Sequence, residues 1–295
     1  MLLLERFFPS FGWLEVFAAA LYAAILAEKI QNPKLVQRWR IRVWLAFSIF
    51  FFAQFFIGIL GIERMLMTGK LHIPVPAVIA AGPLYRAQGF FMPILFLSTI
   101  MLVGPAWCSY LCYFGAWDGS AAIRRKKPLP PFSRYQHLRI AILAVVFALA
   151  LAFRWLGVSD FWAALSAISF GVVGLLIMLF YSRKTGTMVH CIAYCPIGLF
   201  SIMLGKISPF RIRITLSCTD CGACTRACRY DALRTEDIKR RKPGINCTLC
   251  GDCLGACPHL SIEYRFLGLS GSSARALFIA LVVSLHSIFF ALAMM

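Results

Sequence analysis

The chain has 295 residues, 60% of them hydrophobic and only 14% charged, with a mean hydropathy of +0.78. Soluble domains carry about 25% charged residues, so this composition excludes an ordinary soluble protein and places the chain in a membrane. The net charge of +18 reports orientation first, because cytoplasmic loops retain Lys and Arg. Nucleic-acid binding is not expected, since no aromatic and basic single-strand platform occurs outside the cysteine-rich segment.

A spanning helix needs about 20 apolar residues, because backbone groups left unpaired in hydrocarbon are too costly. Six stretches meet that need: 11–28, 43–62, 90–108, 139–158, 163–181 and 275–294. Met1 to Ser10 combines Glu5 with Arg6 and leads to no clear cleavage site, so the first stretch is expected to be a retained helix. Glu15, beside Trp13, reads as an interfacial carboxylate of that helix. The loops at 29–42, 109–138 and 182–274 fall on one face. They hold Lys29, Lys34, Arg38, Arg40 and Arg42, then Arg124, Arg125, Lys126, Lys127 and Arg134, then Lys239, Arg240, Arg241 and Lys242. The opposite loops offer Arg64, Lys70 and Arg86 against Glu63, and Arg154 against Asp160. The basic, cysteine-bearing face is therefore expected to be cytoplasmic, with both termini outside. Pro128, Pro130 and Pro131 read as a stiff connector, and Ser270 to Ser273 as a flexible lead into the last helix.

The chain has twelve cysteines, nearly all in tight C-x2-C or C-x3-C spacings. Such regularity suits metal better than disulfides, which also need an oxidising compartment. Cys218, Cys221, Cys224 and Cys228 follow C-x2-C-x2-C-x3-C, and Cys247, Cys250, Cys253 and Cys257 repeat it, with Pro258 closing the second run. This is the spacing of bacterial ferredoxins with two [4Fe–4S] clusters. Three close thiolates on a tight turn wrap one cubane, and the fourth faces the other. One cluster is thus expected on Cys218, Cys221, Cys224 and Cys257, and the second on Cys247, Cys250, Cys253 and Cys228. Zinc is the plainer alternative, but zinc sites take two ligands per run rather than four. Arg229 stands where the first run would usually have proline, and a local loop change is expected there. The basic surround of Arg226, Arg229 and Arg234 reads equally as a surface for an acidic partner or for anionic lipid.

Two more pairs lie at the ends of the third and fifth stretches, Cys108 with Cys112 and Cys191 with Cys195. Both runs share the frame C-x3-C-x2-G, ending at Gly115 and Gly198. An i, i+4 spacing puts both thiols of a run on one α-helical face, so two helix ends could offer four thiolates to a shared centre. Free cysteine is often just a small buried hydrophobe, but two matched pairs at equal depth favour an additional iron–sulfur or other metal centre. Copper and a dithiol relay remain open.

Two C-x3-C runs on membrane helices followed by a doubled C-x2-C-x2-C-x3-C segment resemble the NapH and MauN ferredoxin-type membrane proteins, and more distantly NosR and CcoG, over roughly residues 43–265. The resemblance implies a multi-pass protein of a bacterial or archaeal cytoplasmic membrane that relays electrons between the quinone pool and a partner redox protein. It implies a subunit of a quinol-linked oxidoreductase complex more than a self-contained enzyme. Each C-x3-C in that family is commonly followed by proline; Pro196 fits and Tyr113 does not. A second reading, resembling CcoG, is a copper reductase or maturation factor for a respiratory enzyme. A third is a structural anchor for the ferredoxin domain.

Of the five histidines, His72, His137, His190, His259 and His286, only His286 lies well inside an expected helix. A bis-histidine haem within the bilayer is therefore not expected. Quinone chemistry wants a polar group near the interface, for which His190, Tyr113, Trp117 and Asp118 are the candidates. The expected fold is a mainly α-helical integral membrane protein with an inserted α+β domain. A transmembrane domain spans 1–209, a double [4Fe–4S] domain 210–265, and a final transmembrane helix 266–295.

Overall fold

A computed structural model describes residues 2–62, 65, 73–132 and 134–292. Glu63, Arg64, Lys70 and His72 lie outside the described residues. The fold is mostly helical with one small sheet. A short α1 (Leu3–Phe7) precedes α2 (Gly12–Gln31) and α3 (Val36–Ile59), and α4 (Val78–Arg86) and α5 (Phe91–Val103) follow. Next come α6 (Tyr113–Ala122), α7 (Tyr135–Trp155), α8 (Asp160–Ile177), the single turn α9 (Arg183–Thr185) and α10 (Pro196–Leu204).

Among the described residues five helical stretches are long and apolar enough to cross a membrane: Val36–Ile59, Phe91–Leu111, Tyr135–Trp155, Asp160–Thr185 and Gly271–Ala291. They coincide with five of the six expected spans. The remaining one, 11–28, is the 20-residue helix α2, but Glu15, Glu28 and Lys29 charge it too heavily to join that set. Glu15 accepts a hydrogen bond from the Leu4 N–H at 2.9 Å, tying α1 to α2. The connection after α3 contains α4, a short helix interrupted by Pro83, whose Tyr85 donates to the Val158 carbonyl at 2.6 Å. Leu149 and Val145 on α7 and Phe161, Ile168 and Val172 on α8 are exposed. So large an uncovered apolar belt is expected where lipid supplies the contact.

The chain between α10 and the last helix folds as a compact unit. Strand β1 (Phe210–Ile214) pairs antiparallel with β2 (Ile262–Phe266), with Phe210 opposite Phe266 and Ile214 opposite Ile262, and β3 (Leu269–Ser270) adds to β2. One face of β1 is buried through Phe210, Ile212 and Ile214, the period-two pattern of a half-buried strand. Between β1 and β2 lie three one-turn helices, α11 (Ala223–Ala227), α12 (Thr235–Lys239) and α13 (Asp252–Ala256). The final helix, α14 (Gly271–Leu292), leaves the sheet directly.

The sheet does not stand apart from the bundle. Phe278 of α14, fully buried, stacks on Tyr264 at 4.7 Å and meets Phe210 edge-on at 5.3 Å. Arg275 donates to the Ile30 carbonyl of α2 at 2.8 Å. A single hydrophobic cluster therefore runs from α2 and α5 through the sheet to α14. One expectation of a basic loop is corrected here. Arg38, Arg40 and Arg42 lie within α3, and Arg40 is buried at 1% exposure rather than displayed on a loop.

Candidate redox centres

The two ferredoxin-type runs build two separate cavities. One cavity is walled by Cys218, Cys221, Cys224 and Cys257, with Ile214, Ile238 and Ile262 behind them. A second is walled by Cys228, Cys247, Cys250 and Cys253, with Ile212, Tyr230 and Pro243. Each cavity thus takes three cysteines from one run and the last cysteine from the other. Local backbone explains the crossing. In each run a left-handed glycine, Gly222 or Gly251, opens a one-turn helix, α11 or α13, and the helix ends on a cysteine with extended φ,ψ, Cys228 or Cys257. That break turns the fourth thiol away from its own run.

Backbone N–H groups already aim at these sulfurs: Ala232 donates to Cys228 Sγ and Ser261 to Cys257 Sγ, both at 3.3 Å. Burial pushes the thiols of Cys228, Cys247 and Cys250 up to about 12. Without metal they are neutral thiols, and ligation must displace their protons. Among the described residues no three His, Cys, Asp or Glu side chains converge tightly enough to share a single metal ion. A cubane asks for something else, one thiolate on each of four irons, and the four-cysteine walls match that donor set.

The four remaining cysteines sit together where α5 and α8 give way to the short helices α6 and α10. All are buried, at 7% for Cys108, 6% for Cys112, 9% for Cys191 and 8% for Cys195. Cys108, Cys112 and Cys195 belong to one buried cluster, and the Cys191 N–H is bonded to Asp118 of α6. The expected α-helical geometry of the runs is corrected. Trp107–Leu111 and His190–Tyr194 are π turns, closed by Cys112 N–H to the Trp107 carbonyl at 3.0 Å and Cys195 N–H to the His190 carbonyl at 2.8 Å. Cys112 and Cys195 then leave the helix with ψ of 112° and 116° and cap α6 and α10. The two runs are therefore structural repeats. In each, the frame glycine stands where a Cβ would press on the carbonyl of the run's first cysteine, Gly115 on Cys108 and Gly198 on Cys191, both at 2.8 Å.

The loop 246–253, which carries three cysteines of the second cavity, is seated on these runs. Tyr110 donates to the Cys250 carbonyl at 2.9 Å, and Ser109 to the Thr248 carbonyl at 3.0 Å. Tyr230 reaches the Cys108 carbonyl at 3.4 Å. Arg40 clamps the same junction, binding both oxygens of Asp252 at 3.2 and 2.7 Å and the Ser109 carbonyl at 3.0 Å. The nonstandard residue of the first run, Arg229, is a further tie, donating to the Gly186 carbonyl at 2.9 Å and the Lys126 carbonyl at 3.2 Å.

Two stretches of the chain match a family model described as a 4Fe–4S binding domain: residues 87–130 and 164–215. These bracket Cys108 with Cys112 and Cys191 with Cys195, and contain none of the eight ferredoxin-type cysteines. The chain is 25% identical over 191 residues, 57% of its length, to the Escherichia coli (strain K12) "Putative electron transport protein YccM", and that alignment covers 54% of the relative. The chain thus spans about half the length of the curated relative it matches. No solved structure matches it.

The interfacial polar candidates are distributed around the membrane-edge cysteines. Asp118 accepts the Cys191 N–H at 3.0 Å, and burial raises its carboxyl to about 6. His190 is buried, and burial followed by the charge of Arg139 lowers its imidazole to about 3, so it is neutral. Neither of its ring nitrogens has a hydrogen-bond partner. Tyr113 stacks on Phe51 at 4.4 Å, and Trp117 bonds the Ser48 hydroxyl. His286 is fully partnered, between Tyr22 at 2.9 Å and the Tyr110 carbonyl at 2.8 Å. The Arg40–Asp252 pair and the burial of Arg139 escape sequence reasoning, because neither pairing nor burial of a charge can be read without the fold.

Proposed function

We propose that this protein is a membrane-embedded iron–sulfur electron-transfer subunit with two [4Fe–4S] clusters in residues 210–265 and a further thiolate-held centre at the membrane edge. The observation that carries the reading is the pair of crossed four-cysteine cavities. Cys218, Cys221, Cys224 and Cys257 would hold one cluster, and Cys228, Cys247, Cys250 and Cys253 the other. Cys108, Cys112, Cys191 and Cys195 would hold the third centre, and the family match on their two segments supports an iron–sulfur identity for it. Bound clusters supply one-electron chemistry. The chain's own part is to fix their arrangement: the loop of the second cavity rests on the membrane-edge runs, so that cavity adjoins them. The electron transport named for the relative agrees with this arrangement, as does the resemblance to NapH-type proteins. Quinone or quinol and another redox subunit are the proposed partners. The cysteine-bearing face is proposed to be cytoplasmic, in a bacterial or archaeal cytoplasmic membrane, with α2 as a sixth crossing.

The test is iron and sulfide content with EPR of the reduced protein, purified anaerobically. Two clusters contribute roughly eight irons, and a third brings the total to roughly twelve. Replacing Cys108, Cys112, Cys191 and Cys195 by serine should remove only the additional iron. Crossed ligation predicts that Cys228→Ser erases the same EPR signal as Cys247→Ser, and Cys257→Ser the same as Cys218→Ser. Pairing of Cys228→Ser with Cys218→Ser instead would reject the crossed assignment.

A further inference from the structure

Arg40 and Arg139 hold matching positions at the junction of membrane and cysteine-rich segments, yet differ in one respect. Arg40, from α3, spends its charge on Asp252. Arg139, from α7, is equally buried at 2% exposure and forms no ion pair with any carboxylate among the described residues. Its two hydrogen bonds go to neutral acceptors, the Cys195 carbonyl and the Asn246 side-chain oxygen, both at 3.4 Å. Asp118, a buried carboxylate at the same cysteine runs, accepts the Cys191 N–H instead. What the guanidinium does rest on is the second membrane-edge run: its Nε bonds the Cys195 carbonyl, and its Nη2 and the Cys191 carbonyl both border Gly198. Space is kept for it, because a Cβ on Gly198 would lie 2.6 Å from its Nη2.

A guanidinium cannot shed its proton, and an isolated charge is rarely tolerated in a dry interior. Four neutral thiols would leave it uncompensated. Four thiolates around an iron–sulfur core outweigh the positive charge of that core, so the loaded site is anionic and supplies the missing partner. We infer that Arg139 is the fixed counter-charge of an anionic centre held by Cys108, Cys112, Cys191 and Cys195. The inference rests on the proposed membrane-edge centre and names the residue that tunes it. A cation held beside the centre favours its reduced, more negative state and raises its potential. Through Asn246, the residue before Cys247, the same side chain also fixes the second cavity's loop against the centre.

The experiment uses the full chain in detergent, with Arg139→Gln and Arg139→Lys made in the native background and in the four-serine background. An EPR-monitored redox titration of the native-background proteins should show the membrane-edge signal at lower potential in Arg139→Gln and near its native potential in Arg139→Lys. An unchanged potential in Arg139→Gln at full iron content would overturn the inference while leaving the centre itself established. Thermal melts cover the case in which Arg139→Gln loads no centre. A counter-charge predicts a change of sign: Arg139→Gln lowers the melting temperature of the native protein and raises that of the four-serine protein, where the arginine has lost its partner. Lowering in both backgrounds would show a purely structural arginine and overturn the inference. Absence of any iron dependent on the four cysteines in the native protein would remove the centre, and the inference with it.

Discussion

At the scale of single residues, the frame C-x3-C-x2-G becomes intelligible once the turns are seen. Gly115 has no room for a methyl group: its Cβ would sit 2.5 Å from Cζ2 of Trp44 and 2.8 Å from the Cys108 carbonyl. Gly198 is confined in the same way by Arg139 and the Cys191 carbonyl. In both cases one obstacle is backbone and cannot rotate aside. Gly115→Ala and Gly198→Ala are therefore each expected to destabilise the protein by about 1–3 kcal/mol, the usual cost of overpacking. Gly89→Ala serves as a contrast, since no atom lies within 4 Å of its Cβ position, although its φ of +79° adds backbone strain. Thermal melts of iron-loaded protein would measure all three. The membrane-edge EPR signal should suffer in the first two alone.

The Arg40–Asp252 pair, also at residue scale, joins helix to cluster loop. Both side chains are 1% exposed, and the contact is bidentate, with Arg40 also lying over the rings of Trp44 and Tyr110 at 5.4 and 5.8 Å. Removing one partner strands a buried charge, which costs about 3–5 kcal/mol, whereas replacing both by apolar residues is often close to neutral. Arg40→Met and Asp252→Leu should each be severely destabilising alone, and the double variant distinctly less so than either. A double variant as damaged as the sum of the two would mean the residues do not act as a pair.

At the scale of elements, sequence reading succeeds where spacing alone decides the structure. The crossed walls of the two cavities follow from local determinants, a left-handed glycine inside each C-x2-C-x2-C-x3-C run and an extended cysteine at its end. Five of the spans are legible for the same reason, as uninterrupted apolar runs. The sequence misleads where geometry departs from the α-helical period. Cys108 with Cys112 and Cys191 with Cys195 have the i, i+4 spacing of one helical face, but the N–H of each second cysteine closes an i+5 bond and ends a π turn. Such turns are rare in general and concentrate at functional sites. Arg40, Arg139 and Arg229 mislead differently. A rule that counts basic residues assigns Arg40 and Arg229 to solvated loops and is silent on Arg139 at a span's edge, while tertiary contacts bury all three. Helix α4 was hidden by Pro83 and by its short, weakly patterned sequence.

At the scale of the whole molecule, the cysteine-rich unit is docked as part of the bundle rather than tethered beside it. Its sheet shares a core with α14 and α5, and Phe278, Tyr264 and Phe210 form one aromatic cluster across the boundary. A docked unit has one orientation and one membrane side, which makes its sidedness measurable at a single position. Leu216 is 92% exposed and precedes the first ferredoxin-type cysteine by two residues on the loop after β1. The topology proposed above has this surface on the cytoplasmic side. Leu216→Lys places a trypsin site there without adding a thiol that could compete for iron. In membranes of a producing bacterium, inverted vesicles should be cleaved at this position and intact spheroplasts protected. Cleavage in spheroplasts alone would place the cysteine-rich unit outside and reverse the topology. Cleavage in both preparations together with loss of the EPR signals would mean that the added lysine had undone the docking. The test would then pass to exposed Leu267, 81% accessible at the β2–β3 turn on the far edge of the sheet.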